Sequence, residues 1–380
     1  MLSAEELKLD SLYECMLDSK VSLTLPVELS VVMPVFNQQD LIRHNLNQLS
    51  TCIRSRWELI LIDDSSTDKS LGVALDWAGE AHSQYDALCS VKVLKTKHQV
   101  FETLCDAIGI NEATGPYVLE VQSDMEILEL GFDEKLLCAI KSHQDFLMIS
   151  GRGCHTLEEV TQSFTMELKK AKQGFFFSRL VVKEILGLAN AFIGRVLLFV
   201  AGVLLSKTTS SVDGNSPVPK QPPLRENITL FPPLEIFSVE GRAGRLGMLI
   251  EEGFGSEDLK SNKIWVSETV MRGPLLIHKE KYLKAGGFDS KAFFLGNDDH
   301  DLAHRAFVSN GYRTGFVPVG FSSPLNQGST RRKRSFPTLI QLSRSQRRTA
   351  KHIFDSGLGK LTQTGAMAPR RFLEIRTFDY

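Results

Sequence analysis

The chain has 380 residues, 42% of them hydrophobic and 23% charged, the composition of a globular protein with ample core rather than of a disordered or fibrous chain. Lys and Arg number 44 against 45 Asp and Glu, a net charge of −1, so no global field favours nucleic acid. The six cysteines (Cys15, Cys52, Cys89, Cys105, Cys138 and Cys154) form no C-x-x-C pair, which excludes a zinc knuckle or redox motif and reads as free thiols in a reducing compartment.

Residues 1–26 read as a helical or loose leader ending at Pro26. Its acidic start has no apolar run, so no secretory signal is expected and the protein reads as cytoplasmic. Next, apolar runs of strand length alternate with stretches of helical spacing. Strands are expected at 29–35, 58–62, 91–94 and 117–121, and helices at 39–54, 69–82 and 100–113. Such alternation predicts an α/β fold with a doubly wound, mostly parallel sheet. Ligands then bind beyond the carboxyl ends of the strands, where Asp64 and Asp124 both fall.

After about residue 150 the regularity fails. Lys169, Lys170 and Lys172 stand before Phe175, Phe176 and Phe177, and 185–205 is almost uninterruptedly apolar save for Asn190 and Arg195. Twenty-one residues could span a bilayer, but Arg195 at its middle would cost roughly 2.5–3.5 kcal/mol there. A single crossing would also put Asp124 and Asp299 on opposite faces. The segment therefore reads as a buried hydrophobic helix, a re-entrant hairpin or, with the Lys/Phe stretch, an interfacial helix giving membrane-surface attachment through 160–205. A Pro-rich linker follows over 206–235, order returns near 263, and the last section is basic.

Two acidic segments carry the chemistry. Gly296-Asn297-Asp298-Asp299-His300-Asp301-Leu302, followed by Arg305, packs three carboxylates into four positions, where like charges repel unless a cation or a proton relieves them. Upstream, Ser123-Asp124-Met125-Glu126 ends an apolar run. A third cluster, 63–68, holds Asp63 and Asp64 in a turn rich in helix-capping residues; either acid could cap a helix or accept hydrogen bonds from a base or ribose. His300 could be a metal ligand or a structural residue.

Taken in order, Pro34-Val35-Phe36-Asn37, Ile62-Asp63-Asp64-Ser65-Ser66-Thr67-Asp68, the acidic strand end at Asp124, and the 296–302 segment with Arg305 resemble family 2 glycosyltransferases over about 27–130 and 270–320. The resemblance implies a GT-A (nucleotide-diphospho-sugar transferase) fold and inverting transfer of a sugar from a nucleotide-sugar, usually with Mn²⁺ or Mg²⁺. Carried over, Asp64 reads the nucleotide base with Pro34 and Phe36 beside it and Asp63 in support. Asp124 matches the last acid of the family's D-x-D, which holds the metal on the diphosphate, and Glu126 would add a second metal carboxylate. Asp299 matches the general base, with Asp298, Asp301 and Arg305 supporting it, and Arg331 and Arg332 are suited to diphosphate oxygens if not simply solvated.

Two departures are visible. The first D-x-D acid is Gln122, so metal affinity is weakened or the cation is partly replaced by basic side chains. Gln341-Leu342-Ser343-Arg344 lacks the tryptophan of the processive synthases, which favours addition of one sugar. The expected organisation is a leader (1–26), a nucleotide-sugar-binding half (27–150), an insertion with the hydrophobic helix and linker (151–262), an acceptor half (263–325) and a basic C-terminal extension (326–380). The acceptor is a glycan, lipid or small molecule. The competing readings are a nucleotidyltransferase of related fold and a non-catalytic nucleotide-sugar-binding relic. No nucleic-acid partner is expected, because the basic residues are not interleaved with aromatics.

Overall fold

The computed structural model describes residues 9–20, 26–155, 261–293, 296, 298–322 and 373–380. The hydrophobic segment 185–205, the Pro-rich linker and nearly all of the basic extension lie outside the described residues. All six cysteines lie within them, and none is disulfide-bonded.

The first described strand, β1 (Tyr13–Lys20), corrects the expected helical or loose leader. Its residues are half-buried or exposed, so no clean apolar alternation marks it in the sequence. It exists because it pairs antiparallel with β4 (Leu88–Thr96), which would otherwise end the sheet with unpaired backbone groups. Elements β2 (Leu29–Val35), α1 (Ile42–Cys52), β3 (Trp57–Asp63), α2 (Ser70–Ala81), α3 (Glu102–Glu112) and β5 (Tyr117–Glu120) follow the predicted alternation. All seven residues of β3 are buried, as expected of a central strand covered on both faces. Alternate residues of β2 feed the two covered faces. Val31 and Met33 pack with Leu46, Trp57, Trp77 and Phe132, whereas Val32 packs with Ile60, Ile62, Cys105 and Ile108.

Beyond β5 come β6 (Glu126–Ile127), α4 (Phe132–Ser142), β7 (Phe146–Ser150), β8 (Cys154–His155), β9 (Lys263–Ser267), β10 (Thr269–Val270), β11 (Leu275–His278), α5 (Lys279–Lys284), α6 (Asp298–Asn310), β12 (Arg313–Phe316), β13 (Phe321–Ser322) and β14 (Glu374–Thr377). Ten of these strands form one sheet in the order β1-β4-β3-β2-β5-β11-β7-β12-β9-β14. It is mixed rather than mostly parallel: β4, β3, β2 and β5 run parallel, as do β7 and β12, but β1, β11, β9 and β14 run against their neighbours. The strands that break the parallel order come mostly from the second half, where periodicity in the sequence failed. Among the described residues no helix is long and apolar enough to cross a membrane.

Candidate active site

One edge of the sheet collects the loops that carry chemistry. Val35, Asp63 and Lys95 lie side by side at the carboxyl ends of three parallel strands. Leu275, near the start of antiparallel β11, stands opposite both Glu120 and Ser150. The turns after β5 and β7 and the turn before β11 therefore meet at this edge, where open α/β sheets bind ligands.

The loops after β2 and β3 are laced together. Asn37, at φ +53°, donates its N–H to Ser66 Oγ (3.0 Å), and its Oδ1 accepts from the Thr67 N–H (2.8 Å). The Gln38 N–H donates to Ser70 Oγ at 2.7 Å. Pro34 is partly buried, and Phe36 is only 5% exposed, so its ring packs into the protein. Asp64 accepts the backbone N–H groups of Val100 (2.6 Å) and Phe101 (3.1 Å), fixing a turn in which Phe101 adopts φ +69°. Asp63 is fully buried. Its Oδ2 accepts the Ser66 N–H at 3.1 Å, while Oδ1 meets no hydrogen-bonding partner among the described residues. Burial pushes the Asp63 carboxyl up, opposed by its hydrogen bonds from Ser66. A pocket of about 400 Å³ adjoins this turn, lined by Glu14, Ser65, Ser66, Lys95, Thr96 and Lys97.

At the centre of the edge sits Arg272, itself only 6% exposed. Its guanidinium grips the fully buried Asp106 of α3 and Asp298 of α6, and lies 3.6 Å from Glu102. The next residue, Gly273, takes φ +58° and donates its N–H to Glu120 at 3.1 Å; a Cβ there would press on Gln122 at 3.1 Å. Four acids thus surround one buried cation. Burial is the largest influence on Glu120, and with Glu102 and Asp298 nearby it overrides Arg272 and pushes the carboxyl up to about 8. Asp298 rises to about 7 by burial, with Asp299 and Glu102 adding to it against Arg272. Asp106 rises for the same leading reason.

Asp298, Asp299 and Asp301 open α6, where the positive end of the helix dipole favours carboxylates. Their partners differ. Asp301 is bound by Arg305 Nε at 2.6 Å, and the same guanidinium donates to the Ala285 and Gly287 carbonyls (2.8 and 2.7 Å). His300 Nδ1 lies 2.7 Å from Thr269 Oγ1, a packing contact within the protein. Asp299 accepts the neighbouring His300 N–H at 2.9 Å and is 3% exposed.

Asp124 shares its surroundings with this cluster. Burial raises its carboxyl, Glu102 adds to the rise and Arg152 opposes it. Glu102 thereby acts on both acidic segments, on Asp124 from one side and on Asp298 from the other. Gln122 bridges Glu102, to which its amide donates at 3.1 Å, and Arg152, whose Nη1 donates to its oxygen at 3.3 Å. Glu126 instead faces α1, where His44 Nε2 lies 2.7 Å away. Among the described residues no group of three or more His, Cys, Asp or Glu side chains is disposed to hold a metal ion. Around the Asp124 turn the described oxygen donors are one carboxylate and the Gln122 amide, which is bonded on both sides and touches a guanidinium; any cation there would take most of its ligands from substrate phosphates and water. Arg331 and Arg332 lie outside the described residues.

Sequence reasoning missed Glu102, Asp106, Glu120, Arg152 and Arg272. The signal was present for three of them: Asp106, Glu120 and Arg272 are single charges inside or beside apolar runs, where burial makes a charge expensive unless it is paired.

Residues 30–182 match the model of glycosyl transferase family 2. Among individual relatives, a dodecaprenyl-phosphate galacturonate synthase of Rhizobium johnstonii is 27% identical over 103 residues, 26% of this chain and 29% of that protein. The putative glycosyltransferase EpsE of Bacillus subtilis is 25% identical over 137 residues, 35% of this chain and 45% of its own. The chain thus spans less than half the length of these curated relatives. Of solved structures, the mannosyltransferase PcManGT from Pyrobaculum calidifontis, in complex with GDP-Man and Mn2+, is similar at 15% identity and a TM-score of 0.40, over 78% of this chain and 56% of that one.

Proposed function

We propose that this chain is a glycosyltransferase of GT-A type that moves one sugar from a nucleotide-sugar donor to an acceptor hydroxyl with inversion. What supports this reading is a chain of contacts between the two acidic segments, Gln122 of the Asp124 turn bonded to Glu102, which lies 3.6 Å from Arg272, the partner of Asp298, within a chain whose residues 30–182 match glycosyl transferase family 2. In this reading Asp299 takes the proton of the acceptor hydroxyl as that oxygen bonds to the anomeric carbon. The bond from that carbon to phosphate breaks, and its electron pair leaves with the nucleoside diphosphate. A single displacement of this kind inverts the anomeric centre.

At the nucleoside end, Asp63 is the better acceptor for a base or ribose donor. Asp64 is engaged by the Val100 and Phe101 amides, whereas Asp63 Oδ1 is buried without a partner, a state that costs free energy until a donor arrives. A pocket lined by Ser65, Thr96 and Lys97 adjoins the same turn and in this reading is the nucleoside's place, reached by Asp63 only if the turn shifts to uncover Oδ1. The acceptor is a glycan, a lipid or a small molecule, and polyprenyl phosphate is the first lipid to test, since one relative's name carries it.

The test is Asn in place of Asp299. Asp299→Asn is expected to bind a nucleotide-sugar as the parent protein does, while transfer and the slow hydrolysis of the donor fall by at least about a hundredfold, the scale of a lost general base. Hydrolysis unchanged in the variant would remove Asp299 from the reaction. Failure of the parent protein to bind any member of a nucleotide-sugar panel would remove the reading altogether.

A further inference from the structure

The turn after β7 is unusually well built for an exposed edge. Ser150 Oγ donates to the Met271 carbonyl at 2.7 Å and accepts the N–H groups of Arg152 (2.9 Å) and Gly153 (3.3 Å). Gly151 packs so closely that a Cβ would meet Pro274 Cγ at 2.8 Å and Val319 Cγ2 at 2.9 Å. Nothing in this construction requires an arginine at 152; it fixes where the arginine stands. From there Arg152 Nη1 reaches Gln122 Oε1 and the Arg272 carbonyl, each at 3.3 Å, and its charge acts on Asp124.

A divalent cation at the Asp124 turn would compete with Arg152 for the Gln122 oxygen. A metal on Asp124 would draw its second protein oxygen from residue 122, but the Gln122 oxygen already accepts from a guanidinium, and two cations in contact through one amide repel. An acid at 122 would in turn face Glu102, to which the Gln122 amide now donates at 3.1 Å. Glutamine is the residue that satisfies both neighbours. Glu126, the other candidate oxygen, is paired with His44.

We propose that Arg152 occupies the place of the divalent cation, and that this protein holds the diphosphate of its donor through the Arg152 guanidinium without a metal ion. The proposal rests on the reading of the chain as a nucleotide-sugar-dependent transferase. A guanidinium is a planar fork of donors that matches phosphate oxygens, stays charged throughout, and needs no carboxylate shell of its own. It gives up no proton in the reaction; it lowers the charge on the departing diphosphate by hydrogen bonding alone.

Calorimetric titration of the full chain with UDP-GlcNAc, GDP-mannose and the corresponding free diphosphates, in EDTA and again with Mn²⁺, tests this. The expected result is that at least one donor binds in EDTA, with an affinity that Mn²⁺ changes by less than about threefold, against the tenfold that about 1.4 kcal/mol represents. Arg152→Met should weaken that donor and its diphosphate by about tenfold or more, the scale of a charge-assisted hydrogen bond, with Arg152→Lys falling between. The double variant Arg152→Met with Gln122→Asp should recover binding only when Mn²⁺ is added. Donor binding that vanishes in EDTA and returns with Mn²⁺ in the parent protein overturns the proposal and leaves the transferase reading standing. So does an Arg152→Met variant that is folded by circular dichroism and binds as the parent does. If no nucleotide-sugar binds under either condition, both readings fall together.

Discussion

Arg272→Met tests the idea that one buried cation holds this edge of the sheet together. Methionine roughly fills the volume of the arginine stem, so the change removes charge with little loss of packing. Asp106 and Asp298, both without exposed side-chain surface, would be left without their cation, and Glu120 and Glu102 would lose a near neighbour. Removing one partner of a buried ion pair costs about 3–5 kcal/mol, a large part of the roughly 5–15 kcal/mol that holds a domain folded. The loss should depend on pH, and its sign follows from the carboxyls. Asp298 and Glu120 have folded values near 7 and 8, above their ordinary values, so the stability they contribute is present at low pH and drains away as pH rises through those values. Without Arg272 they rise further. The variant should therefore lose about 3–5 kcal/mol near about pH 8 and markedly less near about pH 5, where Asp298 and Glu120 hold their protons and need no cation. Urea unfolding followed by near-ultraviolet circular dichroism at both pH values gives the comparison. Equal losses at the two pH values, or less than about 1 kcal/mol at the higher one, would refute the claim that charge compensation is what Arg272 supplies.

Two further outcomes follow from single contacts. Gly109→Ala puts a methyl 2.3 Å from Val32 Cγ1 and 3.0 Å from Ile62 Cδ1, where α3 lies on the sheet. Overpacking of about 1–3 kcal/mol should outweigh the better helix propensity of alanine and lower the thermal midpoint; a raised midpoint would contradict that packing. Asp64→Ala frees the Val100 and Phe101 amides, and hydrogen exchange at those two residues should rise by about tenfold or more, from lost bonds to a charged acceptor worth about 1.5–3 kcal/mol each. Protection unchanged at both amides would show that the turn is held by something other than Asp64.

What the sequence made legible divides by the range of the interaction. Central strands such as β2 and β3 announce themselves because a strand buried on both faces must be apolar along its whole length, and their helices carry the matching period. An edge strand such as β1 has no such requirement. Its existence depends on a partner, β4, some seventy residues away, and nothing local in Tyr-Glu-Cys-Met-Leu-Asp-Ser-Lys records that. β11 is apolar and was visible as order, but its antiparallel place between β5 and β7 is a property of the assembled sheet. The candidate site divides in the same way. Acids clustered in sequence, at 63–64 and 298–301, were conspicuous, yet their partners are distant: Asp64 holds residues 100 and 101, and Asp298 holds Arg272. Adjacent acids are therefore not equivalent acids. Within 298–301, Asp298 is spent on Arg272 and Asp301 on Arg305, which leaves Asp299, whose closest hydrogen bond is to its own neighbour's amide, as the carboxylate least committed to the fold. In the proposed reaction a general base must be positioned but not consumed by its surroundings, and the two flanking ion pairs would serve that by fixing the helix start on either side of Asp299.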